Sequence, residues 1–260
     1  MKRFFKDLNK YKGYILYSAR AQLNAELANS WLGGIWWVLE PVLYMLVYLF
    51  VFTVVFQRQT QYSVAFITLG LAYWRFFNNT AQSSITLVNR YRAVISKVYI
   101  PKFVFVCALM LVNAFKMLFS LIPVAVLMVW YQVPLTWCIP ALLPVTGVLF
   151  VLTFGVSCVC MHIGVYVEDL DRLMKVLLQL LFYFSGVFYP INELVQPQLA
   201  RLMFTVNPVA LVLYEVRNAL LYGVPCQWGL LAAYLLIGIG ISWLGVRIVY
   251  RSESKYIKVI

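Results

Sequence analysis

The sequence predicts an all-α integral membrane protein. It has six transmembrane helices, an N-terminal amphipathic interface helix, and two short re-entrant helices between spans five and six. Three observations carry this. Hydrophobic residues make up 63% of the 260 positions and charged residues 12%, with a mean hydropathy of +0.84, which excludes a soluble domain. Six apolar stretches each approach the roughly 20 residues that a helix needs to cross about 30 Å of hydrocarbon. The third observation is the stretch from Glu168 to Gly223. It runs from the charged turn EDLDR through the apolar segment Leu173 to Tyr189, and Pro190 stops it. The segment beyond Pro190 is apolar enough to enter a bilayer, yet Pro197 and Pro208 break it and Glu193, Arg201, Glu215 and Arg217 punctuate it. Backbone that leaves helical geometry at membrane depth survives only against protein or a wet cavity, so two half-inserted helices beside a pathway are expected.

Residues 1–30 form the first unit. Lys2, Arg3, Lys6, Lys10, Lys12 and Arg20 accompany an apolar stripe of Phe4, Leu8, Tyr11, Ile15, Ala19, Leu23 and Leu27. That pattern belongs to a basic helix lying in the membrane interface, with Gly13 as a bend point. It is too charged for a cleaved signal peptide. Residues 31–260 form the six-span domain, with spans at about 32–56, 62–85, 102–130, 137–166, 172–189 and 227–249 and a re-entrant outer gate at 190–226.

The loops set the orientation. Arg90, Arg92, Lys97 and Lys102 come after span two, Arg172 and Lys175 after span four, and Arg247, Arg251, Lys255 and Lys258 close the chain. The segments after spans one and three hold Arg58 and no other cation. Positive-inside logic puts both termini in the cytoplasm and the 190–226 segment outside. The net charge of +12 is concentrated in these segments, so its partner is the anionic leaflet and not nucleic acid. Between spans two and three, NRYRAVISKVYIPK is either a positively charged topology anchor or a docking helix for a soluble partner. The five cysteines are odd in number and mostly within apolar runs, so they imply no disulfide framework.

Glu40, Arg75 and Lys116 fall inside apolar spans, where an unpaired charge costs at least a few kcal/mol. At about 1.5 Å of rise per residue, Glu40 lies roughly 12 Å in from the cytoplasmic side and Arg75 roughly 20 Å in from the other. In a core about 30 Å thick these depths nearly coincide, so the two are expected to approach each other. The alternative is that each lines water separately or snorkels. Lys116 lies further toward the outer half, with no evident mate.

Trp37, Tyr44, Tyr48 and Phe52 share one helical face of span one, and span five ends in Phe182, Tyr183, Phe184, Phe188 and Tyr189. Such faces suit the C–H faces of sugar rings, although lipid-facing packing and interfacial belts use the same residues. In the run CVCMH, Cys158 and His162 share a helix face while Cys160 points away. At most two metal ligands converge there, and a packed apolar helix end is the reading. No Ser-His-Asp set, HExxH, carboxylate cluster in an apolar span or GxxxxGK[ST] loop occurs, so neither covalent chemistry nor P-loop ATP binding is expected of this chain.

Nearly the whole chain resembles the membrane subunits of type-2 ABC exporters that move capsular polysaccharide, O-antigen or teichoic acid out of bacteria. The resemblance rests on LGGIWWVLEP at Leu32 to Pro41, VEDLDR at Val167 to Arg172, the aromatic fifth span, and NPVALVLYEVRNALLYG at Asn207 to Gly223, in that order. It implies a homodimer with its channel along the dimer interface, two copies of a separate ATPase that holds the ATP and Mg, and a lipid-linked polysaccharide cargo. The location would be the bacterial cytoplasmic (inner) membrane. Channel lining would fall to Trp37, Tyr44, Tyr48, Phe52, Tyr183, Phe184, Phe188 and Tyr189. ATPase docking would fall to the N-terminal helix with Arg90, Arg92, Lys97 and Lys102, and the outer gate to Pro197, Asn207, Pro208, Glu215 and Arg217. Glu40 beside Pro41 departs from the apolar residue of some family members and resembles the capsule type. Two rivals stay open: a drug or lipid exporter of the same superfamily, and a membrane-embedded enzyme of envelope synthesis.

Overall fold

The computed structural model describes residues 2–28, 31–51 and 62–259; Phe52 and Arg58 lie outside them. The described residues are helical, with no strand among them. In chain order the helices are α1 (Lys2–Ala28), α2 (Trp36–Leu49), α3 (Ser63–Ile85), α4 (Leu87–Arg90), α5 (Arg92–Ile95), α6 (Phe103–Trp130), α7 (Leu142–Tyr166), α8 (Leu170–Phe184), α9 (Ile191–Leu194), α10 (Pro197–Val206), α11 (Pro208–Arg217) and α12 (Trp228–Val259). Three helices are long and apolar enough to cross a membrane: Phe103–Trp130, Ile139–Tyr166 and Trp228–Glu253. Two bent pairs raise the number to five if each is one span. Arg3–Ala28 with Gly33–Leu49 turns through 101°, and Pro197–Val206 with Pro208–Tyr222 through 108°. The protein is an all-helical, multi-pass membrane protein.

Helix α3 stands at the centre. From Ala65 to Trp74 every residue is buried, and α2, α6, α7, α8 and α11 surround it. Its second half carries Arg75, Asn78, Asn79 and Gln82, which a helix enclosed by protein tolerates more readily than one facing lipid. Helices α7 and α12 pack through small residues, since a Cβ on Gly155 would meet the Ser242 backbone nitrogen at 2.7 Å, an approach typical of membrane helix pairs. Helix α1 runs unbroken through Gly13, whose helical backbone needs no bend there.

The apolar run through Tyr189 is not one helix. Helix α8 ends at Phe184, five residues before the expected boundary, because the carbonyls beyond it bond elsewhere. Gly186 adopts φ +60°, a left-handed geometry that glycine reaches at little cost. This lets the 184–187 turn face α11. Asn207 caps α11, its Oδ1 accepting from Val209 N at 3.0 Å and Ala210 N at 3.2 Å, while its Nδ2 donates to Ser185 Oγ at 2.9 Å. At the other end of α11, Arg217 donates to the carbonyls of Gly186 at 2.8 Å, Val187 at 2.5 Å and Phe66 at 3.2 Å. Pro197 and Pro208 each sit at the first position of their helices, where the missing N–H is harmless.

Room for Arg217 comes from Gly70, where a Cβ would strike the guanidinium and the Val187 carbonyl. Gly70→Ala is expected to cost about 1–3 kcal/mol by overpacking, read as a lower unfolding temperature of the detergent-purified protein. Gly147→Ala, at a glycine with open space around it, is expected to leave that temperature unchanged or raise it.

Candidate functional site

Two polar cavities and an aromatic wall between them make up the candidate pathway. The first cavity, about 210 Å³, opens among α1, α2, α3 and α6 and is lined by Glu26, Glu40, Arg75, Asn79, Asn113 and Lys116 among others. Arg75 and Glu40 are in direct ion contact, and the guanidinium also lies 4.9 Å from the centroid of the Tyr44 ring. Lys116 is not alone either. Its Nζ is 2.6 Å from Glu26 Oε2, so the C-terminal turn of α1 supplies the missing mate. The cavity thus holds two cations and two carboxylates in two pairs, as a low-dielectric setting demands. Nearby, Asn113 Nδ2 donates to Thr80 Oγ1 at 3.0 Å.

The expected ring stripe divides among different neighbours. Trp37 packs edge-on against Phe115 and Phe119 of α6. Tyr48 stacks on Phe188 at 5.5 Å and meets Phe182 at 5.8 Å. Phe182 and Trp74 are buried behind these rings, 5.4 Å apart, so the wall has a second layer. Tyr183 and Phe184 are exposed, and Tyr189 hydroxyl donates to the Tyr183 carbonyl at 2.8 Å. Phe52 lies outside the described residues.

The second cavity, about 330 Å³, lies at the opposite end of the bundle from the start of α1. Glu193, Tyr214, Arg217, Asn218 and Tyr222 line it. Arg217 is buried, its guanidinium 3.5 Å from the Phe66 ring centroid, and pairs with no carboxylate among the described residues. Glu215 does not line this cavity; it is buried beside Cys226, Gln227 and Asn218. Pro197 is exposed and Pro208 half-buried.

The ABC-2 type transporter profile matches residues 15–221. The chain belongs to that family. It is the membrane permease subunit of a type-2 ABC exporter, a transport subunit and not an enzyme. Among its relatives, a Myxococcus xanthus protein named O-antigen export system permease protein RfbA is 30% identical over 211 residues, covering 80% of each chain. A Klebsiella pneumoniae protein of the same name is 23% identical over 250 residues, 92% of this chain and 91% of its own.

In this ABC-2 permease the end that carries the start of α1 and the end of α12 presents the basic segment between α3 and α6. Arg90, Arg92 and Lys97 are exposed there. Lys102 is not. It is 1% exposed, its Nζ 5.4 Å from the Tyr99 ring centroid, so it supports this segment from beneath and offers no free charge. The segment is tied to α1 by Tyr11 hydroxyl donating to the Tyr99 carbonyl at 3.3 Å and by Ser18 Oγ 3.2 Å from Tyr91 hydroxyl. Tyr99 hydroxyl also donates to Glu253 Oε2 of α12 at 2.7 Å. Burial, reinforced by that carboxylate, pushes the phenol up to about 12.

Two of the three acids of the EDLD turn are engaged structurally. Asp171 pairs with Lys175 at 2.6 Å and accepts from Gln82 of α3 at 2.6 Å, and Asp169 faces Arg172. His162 meets Tyr256 hydroxyl at 2.7 Å. Among the described residues no three metal-ligating side chains converge.

Sequence reasoning missed the Glu26 to Lys116 pair and the buried ring of Trp74 behind Phe182. The sole acid near the C-terminal end of an otherwise basic helix was the available signal for the first. A double-mutant cycle with Glu40→Lys, Arg75→Glu and the combined reversal is expected to show about 0.5–1 kcal/mol of coupling in thermal stability, limited because half of the Glu40 side chain is open to the cavity. Additive effects would mean that the two charges act independently.

Proposed function

We propose that this chain is the channel-forming half of an ATP-driven exporter that moves a lipid-linked polysaccharide, of O-antigen, capsule or teichoic-acid type, across the bacterial cytoplasmic membrane. The single observation that carries the cargo class is the likeness, over four-fifths of both chains, to a protein named as an O-antigen export permease. The two-layered ring wall around Tyr48 and Phe188 supports it, because a smooth aromatic face lets sugar rings slide without fixed hydrogen bonds.

In this reading six spans cross the membrane, at α2, α3, α6, α7, α8 and α12. Helix α1 lies in the interface as a cytoplasmic unit of residues 1–30, and residues 31–260 form the membrane domain. Both termini are cytoplasmic, and α10 and α11 are half-inserted from the outside as the gate. Two copies associate so that their α2 and α8 faces enclose the conduit. Two copies of a separate ABC ATPase, which binds ATP and Mg, dock on Arg90, Arg92, Lys97 and α1.

The hydrogen bonds that join α1 to Tyr91 and Tyr99 make the docking segment and α1 move together. Gly33, at φ +52°, is the joint between α1 and α2, so tilting α1 would swing α2. Tyr44 and Tyr48 would then shift against the rings of α8, opening the wall. The Glu26 to Lys116 and Glu40 to Arg75 pairs keep that joint registered on α6 and α3 while it moves. Coupling, and no covalent step, is the work of the chain.

Removing the chain from its host is expected to trap undecorated lipid-linked polymer inside the cell, measured by surface and total polysaccharide staining; normal surface polymer would overturn the cargo class. Replacing Arg92 and Lys97 together with Glu is expected to lower export about tenfold, equivalent to about 1.4 kcal/mol of lost coupling, with the chain still folded and inserted. Unchanged export and ATPase co-purification would place docking elsewhere.

A further inference from the structure

Of the five cysteines, Cys107, Cys158 and Cys160 lie within α6 and α7. The other two are 88 positions apart in sequence, yet they meet at one end of the bundle. Cys138 ends the connection from α6 and precedes the short 3-10 turn Ile139–Ala141; Cys226 lies two residues before α12. Both line one shallow cavity of about 440 Å³ with Pro140, Pro225, Trp137 and Trp228. Both are anchored on the same stretch of chain, Cys138 Sγ donating to the Gly223 carbonyl at 3.3 Å and Cys226 Sγ to the Glu215 carbonyl at 3.9 Å.

The approach of the two segments is built in. Gly223 takes φ +65°, and a Cβ there would come 2.6 Å from the Thr136 methyl. The Cys226 thiol is pushed up to about 11 by burial and the neighbouring Glu215, with Cys138 adding to the effect.

We infer that Cys138 and Cys226 are oxidised to a disulfide that ties the α6–α7 connection to the end of the gate segment. The inference rests on the proposed orientation, which puts both residues in the outer compartment, where thiols are oxidised. The co-reactant is a disulfide-bearing oxidase of that compartment. One thiolate attacks the oxidase disulfide to give a mixed disulfide, and the second cysteine displaces the oxidase thiol. The Cys138–Cys226 bond forms, and the oxidase disulfide becomes a dithiol with the two electrons and two protons. Cys138, half-buried at the cavity mouth, is the one that meets the oxidase. Because α11 is fixed at its start by Asn207 and at its end by Arg217, a covalent link at 226 would leave the gate free to move only as a body with the α6–α7 connection.

The test uses the full chain in its native membrane. Free thiols are blocked with N-ethylmaleimide in denaturant, the sample is reduced, and newly exposed thiols are tagged with polyethylene-glycol maleimide. The wild type is expected to gain two tags on a gel, and C138S or C226S none. A separate reporter, L135C in the C138S/C226S background, is probed in intact spheroplasts with a membrane-impermeant maleimide, since Leu135 is exposed. No tags on the wild type, with L135C labelled from outside, would overturn the disulfide and leave the orientation standing. No tags, with L135C unlabelled, would overturn the orientation and this inference with it.

Discussion

A buried guanidinium holds together the end of this permease opposite the start of α1. Arg217 has no carboxylate partner among the described residues and is instead satisfied by carbonyls from two other parts of the chain, Phe66 at the start of α3 and Gly186 and Val187 in the turn after α8. A charge placed this way is strongly orienting, because losing any one acceptor leaves a donor unpaired in an apolar setting. Several neighbouring features are shaped by it. Gly70 is small so that the guanidinium fits, Gly186 turns left-handed so that its carbonyl faces inward, and Asn207 fixes the same turn from the opposite end of α11. Carbonyls released by the early end of α8 thus become the seat of α11.

The same rule, that charge inside apolar surroundings must be matched, organises the other end of the molecule. Glu40 with Arg75 and Glu26 with Lys116 pair across two helix boundaries around one polar cavity, so α2 is registered on α3 and α1 on α6 by charge as well as by packing. Each carboxylate is about half open to that cavity, so each pair orients its helices more than it stabilises the fold. One ties α1, which is hydrogen-bonded to the 91–99 segment, to α6; the other ties α2, which carries Tyr44 and Tyr48, to α3. In the proposed mechanism the route from partner to pathway is the movement of α1 about Gly33.

Much of this was legible in the residues. Composition and apolar run length give the membrane class, and Pro197 and Pro208 mark helix starts because each lacks the N–H that only a first turn can spare. Counting rise per residue brings Glu40 and Arg75 to similar depth, and the structure has them in contact. What could not be read depends on partners distant in sequence. Helix α8 stops at Phe184, although nothing local before Gly186 requires it, because Asn207 and Arg217 compete for the carbonyls beyond. Lys102 reads as one more exposed cation, but the fold closes Tyr99 and α12 over it. Lys116 looked solitary because its mate belongs to a helix assigned to the interface, and Cys138 and Cys226 looked unrelated because only the folded connection between α6 and α7 brings them together.

Leu199, Leu202 and Val206 form an exposed apolar stripe on α10, while Gln198, Arg201 and Thr205 are exposed beside it; in the proposed reading the apolar stripe meets lipid. The most direct measurement is a spin-label accessibility scan across residues 191–222 in proteoliposomes, comparing collision with dissolved oxygen and with a water-soluble nickel chelate. Oxygen is expected to dominate at Leu199, Leu202 and Val206 and nickel at cavity-lining Glu193 and Tyr214. Nickel dominating at every position would mean that the segment is a cap in open solvent, and the account of a gate held at membrane depth by Arg217 would be contradicted.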